Sequence, residues 1–297
     1  MKLQEHNIYI GPAGWSYPDW EGVVYPVKKG RSFSPLKYLS EFFDTIEINS
    51  TFYRIPRPSF TEKWIEQVAH NKRFQFTVKV WQKFTHEINT YSDAEVDSFK
   101  ESIEALVGSG RLGALLFQFP WRFKFDPDNK AYLIKLLFAF KDYPRVVEFR
   151  HASWNTVRVI SLFKELNVGF ANIDQPIIGR AIPPTNYVTS EIAYLRLHGR
   201  NYQNWFREDA GRDARYDYLY REDEIDEWKE KVVDVAEKAK KTFIIFNNHF
   251  RGQAVVNSLQ LIAKLRGEKL VAPGTLLSAY PILKSCCYSE GTQQSLF

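Results

Sequence analysis

Cysteine is nearly absent from this 297-residue chain: two occur, Cys286 and Cys287, side by side. Sequence neighbours rarely bridge, so no disulfide framework is available and a reducing, cytoplasmic setting is expected. Also missing is any apolar run near the ~20 residues that a membrane span requires, and Met1–Tyr9 has no apolar signal core. No membrane partner is expected. Histidine is scarce, 6 in all, and none falls in an H-x-H or H-E-x-x-H spacing, so no preformed zinc site is signalled. No cofactor is assigned, although carboxylates and histidines leave a divalent metal open. Charge of one sign is not clustered: the net charge is +5. That suits an anionic partner and falls short of a nucleic-acid signature by itself.

What the chain does have is hydrophobic residues at 44% and aromatics at 16%. The first supports a sizeable core. The second exceeds ordinary need, and aromatics that fall in loops are expected to stack on a ligand. Short β-like runs begin near Ile8, Thr45, Phe74, Leu112, Arg145, Val168, Ile192 and Thr242. Helical patterns fill most intervals: Pro35–Phe43, Ser59–His70, Ala94–Val107, Asp128–Phe140, Ser153–Glu165, Glu222–Lys240 and Gln253–Leu265. Strand–helix alternation implies parallel strands joined by right-handed crossovers. Eight of them predict a single (β/α)₈ TIM barrel over residues 1–285, with an open doubly wound sheet as the alternative. Two long loops are expected, Pro12–Ser34 after the first strand and Gly199–Arg221 after the seventh. No linker divides the chain.

Side chains alternate along a strand, so residues two apart share a face. That parity groups Glu47 with Asn49, Thr77 with Lys79, Glu148 with Arg150, Asn172 with Asp174, and Arg196 with His198. Gln118 ends the fourth strand, and Asn247 or Asn248 the eighth. In a barrel the greasy face meets the helices, so these polar residues are expected to point inward at the C-terminal mouth. The plainer reading is a ring of structural salt bridges. Against it, several kcal/mol per unpaired ion is a heavy cost for stability alone. Glu47, Glu148, Asp174, Lys79 and His198 are the candidate acids, bases and catalytic groups. Arg150 and Arg196 form a fork suited to phosphate or carboxylate. Arg251, just before the last helix, lies where barrels commonly hold phosphate. Trp15, Tyr17 and Trp20, with Trp81, Trp205, Tyr216 and Tyr218, are candidates for a stacking rim.

Seven segments carry a resemblance: GPAGWSYPDWEGVVYP, FDTIEINSTFYRIP, LLFQFPWRF, VVEFRHASW, YLRLHGRN, YDYLY and FNNHFRGQAVVNSL. In this order they resemble the hallmark blocks of the domain of unknown function 72 family, also called YecE-like, from Ile8 to Leu265. The resemblance implies a TIM barrel and delivers no activity. Ala13 departs from it, since a Thr or Ser is expected before Gly14-Trp15.

Residues 286–297 read as a polar, disordered tail. Its end, Gln293-Gln294-Ser295-Leu296-Phe297, resembles the peptide by which bacterial repair proteins dock on the sliding clamp. Gln293, Leu296 and Phe297 are the expected contacts. One functional expectation is therefore an enzyme on a phosphate-bearing substrate, with nucleic acid and the sliding clamp as partners. The alternatives are a hydrolase, lyase or isomerase of a small phosphorylated or carboxylated sugar, and a non-catalytic anion-binding module.

Overall fold

The structure, a computed structural model, describes residues 7–205, 207 and 213–289. Eight strands follow the expected order: β1 Ile8–Pro12, β2 Thr45–Ile48, β3 Gln75–Lys79, β4 Leu112–Gln118, β5 Arg145–Glu148, β6 Gly169–Asp174, β7 Ile192–Leu197 and β8 Lys241–Phe246. All pair in parallel, and β8 pairs with β1. Between β1 and β2 the ladder narrows to one bridge, Ala13 with Glu47, where the Gly14 N–H donates to the Glu47 carbonyl at 2.9 Å. This is the (β/α)₈ barrel. The helices are α1 Pro35–Leu39, α2 Ser50–Tyr53, α3 Pro58–Gln67, α4 Gln82–Thr85, α5 Asp93–Gly108, α6 Pro127–Ala139, α7 Val157–Glu165, α8 Glu222–Ala236, α9 Gln253–Arg266 and α10 Gly274–Ala279. None is long and apolar enough to cross a membrane.

Local chemistry explains the helix starts. Ser92 caps α5 in a capping box with Glu95, and Asp126 caps α6 ahead of Pro127. Between strands and helices lies the greasy layer. Ile46, Phe76, Val78, Phe117, Val147, Phe149 and Phe170 are all buried there, and Phe149 stacks on Trp154 at 4.3 Å. Many of the aromatics are buried in this core.

Two departures matter. Residues 175–191, between β6 and β7, form no helix. Pro176, Pro183 and Pro184 lack the N–H groups a helix needs. The segment is held instead by Asn172, whose Oδ1 accepts from the Tyr187 N–H at 2.7 Å and whose Nδ2 donates to the Tyr187 carbonyl at 2.9 Å. The second departure is at the C-terminal end. The expected tail from residue 286 begins later, because β9 Leu270–Val271 pairs with β10 Cys287–Tyr288, and Cys287 is buried. Gln293, Leu296 and Phe297 lie outside the described residues.

The barrel closes at Gly11. A Cβ there would sit 1.9 Å from the Thr45 carbonyl oxygen. Gly11→Ala must push β1 and β2 apart at the seam, and a loss of more than about 2 kcal/mol is expected. Urea unfolding followed by circular dichroism measures it, and an unchanged midpoint would show that the seam yields freely.

Candidate functional site

Register decides which side chains enter the lumen, because residues paired across parallel strands share a face. Glu47 pairs with Thr77, Ile173 with Arg196, and Arg196 with Ile245. Glu47, Thr77, Lys79, Glu148, Tyr194, Arg196, His198 and Asn247 therefore face inward. On β6 the inward residues are Ala171 and Ile173. Asn172 and Asp174, expected inward, face the outer layer: the parity reading had the right period and the wrong phase. Asp174 takes the Arg200 Nε at 2.9 Å, and Arg200 Nη1 also reaches Glu224 of α8 at 3.0 Å. Burial pushes the Asp174 carboxyl up despite Arg200. Asn248 likewise points outward, donating to Asn257 Oδ1 of α9 at 2.8 Å and to the Tyr218 carbonyl.

Inside, Arg196 is the hub and is 2% exposed. Its Nη2 donates to Glu47 Oε1 at 2.7 Å, its Nε to Glu47 Oε2 at 3.0 Å, and its Nη1 to Glu148 Oε2 at 3.2 Å. The Tyr194 hydroxyl donates to Glu47 Oε2 at 2.8 Å. Arg150 Nε lies 2.8 Å from Glu148 Oε1, and its Nη1 donates to Gln175 Oε1 at 2.8 Å. Burial alone would raise the Glu148 carboxyl, but Arg150 and Arg196 outweigh it and hold it well below the usual carboxylate range. The expected arginine fork is thus committed to two carboxylates. Two anions and two guanidiniums balance, which is how four ions persist in one lumen.

His198, just past the end of β7, is fully buried beside this layer. Its Nδ1 receives Asn247 Nδ2 at 3.0 Å and Arg150 Nη2 at 3.4 Å. Two donors on one ring nitrogen require that nitrogen to be bare, so the proton sits on Nε2, 3.2 Å from Glu148 Oε1. That N–H is not aimed well enough for a hydrogen bond, so the attraction is mainly electrostatic. Burial and Arg150 hold the imidazole neutral, well below its ordinary pKa. The residue expected to shuttle protons thus faces Glu148 as a neutral imidazole.

Above the floor opens a cavity of about 360 Å³. Its floor is Arg196, and its walls include Trp15, Ser16, Tyr17, Asn49, Phe52, Tyr53, Lys79, Gln118, Tyr216, Asn247 and His249. The first loop shapes it. Gly14, with φ of 82°, turns the chain where a Cβ would stand 2.7 Å from the Tyr17 hydroxyl. That hydroxyl donates to the Ala13 carbonyl at 2.6 Å, and the Tyr17 ring stacks on His249 at 4.4 Å. Trp20 is buried and donates Nε1 to the His249 carbonyl at 2.7 Å. Of the expected rim, Trp15, Tyr17 and Tyr216 line the cavity, whereas Trp81, Trp205 and Tyr218 do not. Arg251 is exposed outside it, its backbone N–H bonded to Asp19 and its φ at 49°. Phe52, Tyr53 and His249 escaped the sequence reading as wall residues. Their signal was adjacency to Asn49 and Asn247 at two strand ends. Among the described residues no group of three or more His, Cys, Asp or Glu side chains is placed to hold a metal ion.

Lys79 stands apart. Its Nζ lies 3.8 Å from the Phe52 ring centroid. Among the described residues it makes no hydrogen bond, and no carboxylate oxygen lies within 4.0 Å of it. Burial, reinforced by the charge of Arg196, brings its pKa down to about 7.

Comparison with known proteins matches residues 9–277 to the family model described as protein of unknown function DUF72. The chain is similar to UPF0759 protein YunF of Bacillus subtilis (strain 168), 34% identical over 272 residues, which cover 87% of this chain and 94% of that one. A crystal structure of a DUF72 family protein from Thermotoga maritima MSB8 superposes with a TM-score of 0.77 at 34% identity. It covers 88% of this chain and 100% of that one. One from Enterococcus faecalis V583 gives 0.78 at 30%, over 87% and 95%.

The network has a testable sign. Arg196→Leu leaves two buried carboxylates sharing one guanidinium, and a loss of about 3–5 kcal/mol is expected at pH 7. Lowering the pH toward 5 protonates them and narrows the gap, because the penalty attaches to the charged form. Urea midpoints of both proteins at the two pH values give the answer. A gap independent of pH would mean that the guanidinium acts by packing alone.

Proposed function

This chain belongs to the DUF72 family, and we propose that it is an enzyme acting on a small, hydroxyl-rich, sugar-like molecule bearing at most one carboxylate. The reading rests on one observation: a cavity of about 360 Å³ in which, among the described residues, Lys79 is the one lining lysine or arginine without a carboxylate partner. Phosphate recognition ordinarily uses several cations or bidentate arginine. Here Arg150 and Arg196 face carboxylates, and Arg251 stands outside. The polar groups that remain at the wall are amides and hydroxyls, Ser16, Asn49, Gln118, Tyr216 and Asn247. Such groups read hydroxyls. The Asn49 Oδ1 is buried with no hydrogen-bond partner, a standing cost of about 1–3 kcal/mol that a ligand hydroxyl would remove. Flat aromatic walls, Trp15 and Tyr17 among them, suit a sugar ring or chain.

Within this reading the floor network is fixed and Lys79 is the reactive group. Glu148, locked ionised, and neutral His198 do not change charge in the physiological range; Lys79, near 7, does. The nucleic-acid reading finds less support, because Arg150 and Arg196 are paired with carboxylates and Arg251 stands outside the cavity.

The test is thermal unfolding with D-gluconate, D-glucuronate, D-sorbitol and a short single-stranded DNA. At a hundredfold excess over Kd, a ligand adds about 2.7 kcal/mol of stability. A sugar acid should raise Tm, and its affinity should fall as the pH rises through about 7, where the Lys79 ammonium loses its proton. Sorbitol, having no carboxylate, should show no such pH trend. DNA binding that fades with salt, alongside silence from all three sugars, would favour nucleic acid and defeat this proposal.

A further inference from the structure

The geometry points to Lys79 as a nucleophile: its Nζ forms an imine with an aldehyde or ketone carbon of the substrate, so the substrate class is a carbonyl compound. The inference rests on the proposed small-molecule site and adds the reacting bond to it.

Four features carry it. First, placement: Lys79 ends β3 and lines the cavity, so a carbonyl bound among Asn49, Gln118 and Tyr216 would lie beside Nζ. Second, the amine is unspent. Every other cation of the lumen is committed to a carboxylate, whereas Lys79 faces none within 4.0 Å. A structural lysine ordinarily sits in an ion pair, and leaving one unpaired in a partly buried site costs stability. Third, the environment favours the neutral amine. The Phe52 face lies 3.8 Å from Nζ, and its attraction for the ammonium is outweighed by burial, the largest influence on the amine. The nearby Arg196 charge acts in the same direction as burial. An amine desolvated beside a second cation is the arrangement that activates lysine toward carbonyls. Fourth, Glu47 and Glu148 favour the ammonium, but both are pinned by arginines beyond ion-pair distance of Nζ, and burial and Arg196 outweigh them.

The step balances without an oxidant or reductant. The nitrogen lone pair attacks the carbonyl carbon, the C=O π pair moves to oxygen, and that oxygen takes the proton that nitrogen sheds. The carbinolamine then loses its hydroxyl, with one more proton, as water. The nitrogen lone pair closes the C=N bond. In sum, an ammonium and a carbonyl give an iminium and one water, with the charge unchanged. The iminium keeps the positive charge over the Phe52 ring.

The experiment is reductive trapping on the full chain at pH 7. Pyruvate, dihydroxyacetone or D-glyceraldehyde is added with sodium cyanoborohydride, and peptide mapping locates the mass gained. At pH 7 an amine with pKa near 7 is about half neutral, against roughly one part in a few thousand for an ordinary lysine. Lys79 should therefore be labelled on the order of 100-fold faster than the average surface lysine, at one site per chain. Lys79→Met should lose that adduct and keep the others, and competitive labelling of the wild-type chain with acetic anhydride should titrate Lys79 near neutrality without any variant. Adducts spread over surface lysines with Lys79 no faster would overturn the imine. If D-gluconate still raised Tm in that case, the small-molecule reading would stand; if neither sugar acid nor carbonyl probe engaged the cavity, both would fall.

Discussion

A single guanidinium, sealed 2% exposed between two carboxylates, is the constraint around which this barrel is organised. Arg196 lies on β7, Glu47 on β2 and Glu148 on β5, so three strands far apart in sequence must meet in one register to satisfy it. Transferring any one of these ions alone into the lumen would cost several kcal/mol. Together they are tolerable, because each anion faces a cation, Tyr194 and Arg150 donate to the remaining carboxylate lone pairs, and Gln175 accepts from Arg150. Aliphatic side chains would have filled the same space more cheaply. What the ionic floor supplies is a charge-balanced base beneath a cavity in which Lys79 has no carboxylate partner within 4.0 Å.

That contrast between committed and uncommitted charge is the main physical result. Polar residues also fill a second cluster outside the strands, where Asp174, Arg200 and Glu224 tie the long β7–α8 connection to the barrel wall. The residue types are the same as in the lumen. Only the side of the sheet differs, and with it the role: the outer cluster braces a loop, and the inner one shapes a pocket.

Much of this was legible in the sequence. Strand positions, the closed barrel and the inward set Glu47, Lys79, Glu148, Arg150, Arg196 and His198 follow from period-two alternation and the rule that greasy faces meet helices. The rule failed at β6. There Ala171 and Ile173 turn inward, because the residues 175–191 replace a helix with proline-rich chain that needs Asn172 as its hydrogen-bonding partner. Alternation gives the period of a strand and not its phase when the outer layer is itself polar. Nor could sequence tell His198 from Lys79 as the group that titrates. Depth and neighbours decide that: two donors converge on the imidazole, while the amine lies against a phenyl face without a hydrogen-bond partner among the described residues. Arg251 and Asn248 were misplaced for a related reason, since both lie beyond the end of β8, where strand alternation no longer sets the direction of a side chain.

The tie from Trp20 to the carbonyl of His249 joins the beginning of the chain to its end across the mouth. During synthesis, the first loop is made more than 200 residues before the strand that anchors it. A ribosome-bound fragment lacking β8 therefore carries Lys79, Glu47 and Glu148 without a finished cavity around them. The part of the cavity wall that Asn247 and His249 contribute forms only once that last stave has been made.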